Sequence, residues 1–228
     1  NAPVSYQFTF TQDTAYPREA WMVSLSDFAP YFTASSFKSY AEVGQAYQAR
    51  ALPQTRITPE IAALARRLIG DATTPEEKTR RLYNWVARNI RYLGIYAGSG
   101  GYVPHSAASI LKNRFGDCKD HVVLLEALLD AVGIPSSPAL INLGAAYKLA
   151  KVGVIQPLNH VITYVPSLDL YLDSTDQFSP FGLLIFEDMD KPTVLTALGK
   201  IGRTPRMLPV PAPWLLLDHA DIDEVSRS

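Results

Sequence analysis

Between Asp117 and Val132 the apolar residues Val122, Val123, Leu124, Leu125, Leu128, Leu129 and Val132 cover more than half the circumference of a helix. A helix that apolar cannot lie on a surface; it has to be packed on several sides. Gly133 and Pro135 end it. The rest of the chain must therefore supply layers that wrap this one segment.

The upstream layers read as helices. Thr58 caps a helix that has Pro59 at its first position and Ile61, Leu64, Leu68 and Ile69 on one face, and Gly70 stops it. Thr74-Pro75-Glu76-Glu77 is a capping-box sequence, followed by the stripe Leu82, Trp85, Val86 and Ile90 up to about Leu93-Gly94. Gly98-Ser99-Gly100-Gly101 is a loop, and Ser106–Lys112 a short helix. Beyond Gly133 the period changes to two. Residues 137–142, 160–165 and 168–173 are expected strands, with Val165–Asp169 turning the last two into a hairpin and residues 143–157 as a longer connection. Helices followed by strands predict an α+β fold with an antiparallel sheet.

The two ends are read differently. Residues 4–10 alternate like a half-buried strand, Ala20–Leu25 is a second expected strand, and residues 35–48 form a connector leading into a short helix. This divides the chain into residues 1–40, the last strands and linker of a preceding β-domain; residues 41–190, the main domain; and residues 191–228, an extension of strands and tail.

The chain of 228 residues has a formal net charge of -1 and no basic stripe with interleaved aromatics, so nucleic acid is not an expected partner. No apolar run reaches the length of about 20 residues that a membrane helix needs. A single cysteine forbids an internal disulfide. The absence of an initiator Met and of a signal segment reads as a mature or trimmed fragment.

That cysteine, Cys118, stands in Gly116-Asp117-Cys118-Lys119-Asp120-His121, where it opens the central helix. A lone cysteine is most often a small buried hydrophobe. A helix N-terminus, however, stabilises a thiolate, and its free N–H groups can donate to an oxyanion. Gly116 allows a substrate backbone to come close. His160 lies 42 residues further on, at the start of a strand, and Asp173 follows 13 residues after it. A tight hairpin would set that carboxylate beside the imidazole. Their bland readings are a satisfied sheet histidine and a turn aspartate, and Asp169 and Asp176 compete with Asp173. His121 sits one turn along from Cys118 and is structural, an assistant to the thiol, or a metal ligand with Cys118 and His160; the spacing fits no common zinc pattern. Lys119 and Asp120 are expected to face outward or to cap the helix. Tyr102, between glycines and a proline, offers a hydroxyl to an oxyanion or packs its loop on the core.

Gly-Asp-Cys-Lys-Asp before a long apolar helix, then Gly-Ile-Pro, Asn-His-Val and Tyr-Leu-Asp-Ser-Thr, resembles the transglutaminase-like superfamily with its papain-like cysteine fold. The stretches 90–95, 101–105 and 34–40 resemble a bacterial subgroup in which this domain follows a β-sandwich in exported proteins. The resemblance spans roughly residues 35–185. One departure is Ser174, where the family often has proline.

The resemblance implies an α+β papain-like transglutaminase core, an N-terminal-Cys helix packed on an antiparallel sheet. By it Cys118 is the nucleophile, His160 the base and Asp173 the orienting carboxylate, with Tyr102 and Gly116 as oxyanion or substrate-binding residues. The expected activity is cysteine-dependent acyl transfer on amide or peptide bonds through a thioester, as a peptidase or amidase more than a cross-linker. The alternatives are transglutaminase-type amine transfer, an inactive peptide-binding module, and a metal-dependent hydrolase using Cys118, His121 and His160. No cofactor or metal is expected. The expected partner is a peptide or protein carrying amide groups, and the expected location periplasmic or secreted.

Overall fold

The structure, a computed structural model, describes residues 5–11, 13, 15–94, 101 and 103–206. The expected loop at 98–100, Tyr102 and the tail beyond residue 206 lie outside these residues.

Among the described residues five α-helices precede the sheet: α1 (Tyr40–Ala51), α2 (Pro59–Ile69), α3 (Pro75–Asn89), α4 (Ala107–Asn113) and α5 (Cys118–Asp130). Each begins at a side chain that accepts a backbone N–H of its first turn: Ser39, Thr58, Thr74, Ser106 and Asp117. Thr74 makes only half of the expected capping box. Glu77 donates its N–H to Thr74, but its carboxylate turns outward to Arg80 and Arg81. Asp117 makes the full box, with Asp120 returning to the Asp117 N–H.

The sheet has five antiparallel strands, β3 (Ser137–Ile141), β4 (His160–Val165), β5 (Leu170–Leu172), β6 (Pro192–Leu195) and β7 (Lys200–Arg203), in the order β5-β4-β3-β6-β7. A two-residue parallel pair, β1 (Arg91–Tyr92) with β2 (Phe115–Gly116), ties the end of α3 to the start of α5. The hairpin is shorter than its apolar pattern. Pro166–Leu168 forms a 3-10 turn, Asp169 takes a left-handed conformation, and the Tyr164 hydroxyl donates to the Asp169 carboxylate. β6 and β7 complete the same sheet as the hairpin, through β6 pairing with β3.

α5 is the centre of the molecule. Every residue from Lys119 to Leu129 is buried. One side packs against α2, α3 and α4 through Leu64, Leu82, Val86, Ile110, Leu124, Leu125 and Leu128; Val122 on another side meets α1 and the sheet through Val43, Tyr47, Leu140 and Val161. The all-round apolar pattern thus has its physical cause.

Two expectations are corrected here. The cysteine helix is not the N-terminal helix; it is the fifth, and the N-terminal helix is α1, which carries no cysteine. The length of α1 was masked because Tyr40, Val43, Tyr47 and Ala51 are diluted by Gly44 and several polar residues. The early strands are also absent: residues 5–10 and 20–25 form no strand. Tyr6, Phe8 and Phe10 remain exposed, since an alternating pattern becomes a strand only when a partner edge satisfies its backbone. This segment is held instead by Ser24, which donates its N–H to Ala145, and by Asp27, whose carboxylate accepts from Tyr147 and Lys148.

Candidate functional site

β4 begins at His160, directly opposite Ile141, and Asp173 follows the last residue of β5. The hairpin therefore brings imidazole and carboxylate onto one end of the sheet, and His160 Nε2 lies 2.9 Å from Asp173 Oδ2. The other oxygen, Oδ1, accepts from the N–H of Thr175 at 2.9 Å and from its hydroxyl at 2.7 Å. Tyr83 on α3 donates its hydroxyl to the Asp173 carbonyl at 3.1 Å. Burial alone would raise the Asp173 pKa, but the bonds to its carboxylate, that from His160 foremost and then those from Thr175, bring it down to about 2. For His160, burial works against the charged ring. The Asp173 carboxylate and after it Cys118 outweigh that and hold its pKa well above the usual histidine value.

A third group completes this cluster. Asp188, at the end of the 3-10 turn Phe186–Asp188, is fully buried, and among the described residues neither of its side-chain oxygens receives a donor. One ligand-type atom from each of His160, Asp173 and Asp188 lies within 4.8 Å of the others. Among the described residues this is the group of ligand-type side chains brought together, and the expected alternative of Cys118, His121 and His160 is not. An imidazole and two carboxylates are donors that a divalent cation can use. Here both Asp173 oxygens already accept hydrogen bonds, Oδ2 from His160 and Oδ1 from Thr175, each with acceptor capacity left.

The expected catalytic triad is corrected accordingly. The compact set is His160–Asp173–Asp188, and Cys118 is not a member. The thiol is not one of these three ligand-type groups; it is half-buried on the wall of the adjoining pocket, with its side chain hydrogen-bonded to His160. A cysteine peptidase, amidase or acyltransferase working through a thioester is replaced by a histidine–carboxylate cluster closed at its back by a second aspartate.

Neighbouring residues are held for structural reasons. His121 is buried, donates Nδ1–H to the Ser174 carbonyl at 2.8 Å, and has its pKa lowered by burial. Lys119 and Asp120 do not face outward; Asp120 caps the helix, as the other expectation has it. Lys119 is 5% exposed and paired with Asp117, which is 2% exposed. Asp120 accepts from the His105 N–H at 2.8 Å and lies 3.0 Å from its Nδ1. Gly116 packs on this network: a Cβ there would meet the Asp120 Cβ at 2.5 Å. That contact accounts for the glycine without a substrate. Tyr102 lies outside the described residues.

The adjoining pocket encloses about 340 Å³. Tyr47, Leu140, Ile155, Leu158 and Val161 make its apolar walls; Cys118, Lys119, Gln156, Asn159 and His160 supply the polar edge, with Gly101 at the rim. Among the described residues the Tyr47 hydroxyl has no hydrogen-bond partner, and burial, followed by the charge of Glu126, drives its pKa well up. Sequence reasoning missed Tyr47 because α1 was read as a connector. It missed Asp188 because Phe-Glu-Asp carries no motif.

Residues 62–162 match the model of the transglutaminase-like superfamily. Two solved structures are similar. One, described as "a putative protease" from Parabacteroides distasonis ATCC 8503, has a TM-score of 0.53 at 20% identity over 73% of this chain and 32% of its own. The other, "a putative cysteine protease" from Cytophaga hutchinsonii, has a TM-score of 0.38 at 20% identity over 55% of this chain and 42% of its own. The chain thus spans less than half the length of either. No curated protein matches. Over part of its length the chain is homologous to the transglutaminase-like, papain-like superfamily, and the first structure shares its fold.

Proposed function

We propose that this domain is a peptide-recognition module of transglutaminase-like fold, which receives a peptide segment in the pocket between α1, α5 and the start of β4, without cysteine-dependent turnover. The carrying observation is the closed His160–Asp173–Asp188 cluster, which leaves Cys118 on the pocket wall rather than inside the set. Apolar walls with a few convergent polar groups are what a binding pocket needs. Leu140, Ile155 and Leu158 would take an apolar side chain, while Asn159, Gln156 and the unpartnered Tyr47 hydroxyl would meet the peptide backbone or an amide. Cys118 and His160 belong to this site as part of its polar edge, and Asp173 stands behind His160. No helix among the described residues is long and apolar enough to cross a membrane. An exported setting behind a β-domain is part of the same proposal. It is supported by the family resemblance and by the exposed aromatics Tyr6, Phe8, Phe10 and Trp21, which another surface could cover.

The test is a library of short amidated peptides screened by NMR shift perturbation, with mass spectrometry of every mixture. Binding that perturbs Tyr47, Leu158 and His160, is lost in Leu158→Asp, and leaves the peptide intact supports the module. Cleavage or amine exchange that disappears in Cys118→Ala overturns it.

A further inference from the structure

Asp188 is the buried acid for which the fold gives no ordinary reason. Among the described residues it caps no helix and neither side-chain oxygen receives a donor, and its residue is fully out of solvent. An ionised carboxylate in that position would lack both water and donors. Beside it stands Asp173, whose own charge is stabilised by His160 and Thr175, so Asp173 is the one that remains ionised. Two buried carboxylates with oxygens within 4.8 Å of one another share one proton, because both cannot be charged.

We propose that Asp188 is protonated and donates its hydrogen to Asp173, so that Asp188, Asp173 and His160 form a buried proton-sharing chain in which Asp188 is the positioning residue for the imidazole. The hydrogen runs from the Asp188 carboxyl to an Asp173 oxygen, and Asp173 in turn accepts from His160 Nε2–H. No bond other than hydrogen bonds changes. Burial and the facing Asp173 charge push the Asp188 pKa up to about 7, which supports the assignment. The groups facing it are Asp173 and His160 on the hairpin, Glu187 on its own turn, and Lys191 ahead of β6. Asp173 and Glu187 favour keeping the proton; His160 and Lys191 favour losing it. The chain is therefore poised to open as pH rises through neutrality: Asp188 then ionises and the cluster gains a second negative charge behind the histidine.

The test is isotope-edited NMR of the aspartate carboxyl carbons and histidine ring nitrogens, from about pH 5 to about pH 9, on wild type, Asp188→Asn and Asp188→Leu. The expected result is a wild-type Asp188 carbonyl that is protonated at the acid end, titrates as one step, and carries the His160 ring signal with it. Asn, which can still donate to Asp173, should keep the His160 signal of the acid form and remove the step. Leu, which cannot donate, should shift His160. An Asp188 already ionised at the acid end overturns the proposal, as does a His160 step unchanged in Asp188→Asn. The wild-type carbonyl signal alone decides if the variants do not fold. Stoichiometric binding of added zinc or manganese that displaces the His160–Asp173 bond and is lost in Asp188→Asn also overturns it, in favour of a metal site. No peptide is present, so failure here is separate from failure of the binding reading.

Discussion

Replacing Lys119 with methionine should cost far more than an ordinary surface substitution. Lys119 is 5% exposed and Asp117 2% exposed, and the two are paired at the first turn of α5. Methionine keeps most of the volume but removes the charge, which strands the Asp117 carboxylate out of water. Breaking a buried pair from one side costs about 3–5 kcal/mol. Removing both charges is different. In Asp117→Asn with Lys119→Met, asparagine still caps the helix, so the loss should fall to about 1 kcal/mol. Asp117 already has its pKa raised by burial, against the hydrogen bond from Lys119 that lowers it. Without Lys119 the carboxyl pKa rises further. The single variant should therefore regain stability on acidification, as the stranded charge is neutralised. Urea unfolding of wild type, the single variants and the double variant, at neutral and mildly acid pH, measures all of this. A Lys119→Met loss no larger than that of the double variant would refute the reasoning.

Three other perturbations follow from named contacts. Glu126 is buried, and burial followed by the charge of Asp130 raises its pKa to about 8. A raised folded-state pKa means that its contribution is present below the unfolded carboxyl value and lost as pH rises through about 8. Denaturant midpoints of Glu126→Gln should lack that part of the fall, which spans the range from the unfolded carboxyl value up to about 8. Gly153→Ala would put a Cβ 2.4 Å from the Ser39 carbonyl oxygen at the start of α1; overpacking against backbone should cost about 1–3 kcal/mol and, in NMR spectra, shift α1 and the connection before β4. Leu128→Ala, at the fully buried middle of α5, should cost about 2–5 kcal/mol in chemical denaturation with an unchanged fold by circular dichroism.

What could be read beforehand follows a physical division. α5 was legible because Val122 to Leu129 are apolar on every side, which only a central helix explains. The hairpin was legible because β4 and β5 alternate and the Asp169 turn joins them, so the His160–Asp173 contact could be foreseen from local order. α1 was less so, since its five buried positions are spread through polar neighbours and matter only once β6 and β7 supply a surface. The aromatic alternation at residues 6–10 misled for the converse reason: it describes a side of a strand, not the partner edge a strand needs. Asp188 could not be found, because its significance comes entirely from where the chain between β5 and β6 returns. The mistake over Cys118 has the same origin. Three reactive groups in a familiar order do not specify which of them the fold closes into one cluster.

The direct test of the account is to incubate the intact protein and Cys118→Ala with the same bound peptide and follow both affinity and peptide mass. The account predicts binding within about two-fold between the two proteins, a difference below about 0.4 kcal/mol, and no change in peptide mass with either. A new product, or an acyl adduct on Cys118, formed by wild type and absent from Cys118→Ala would contradict it.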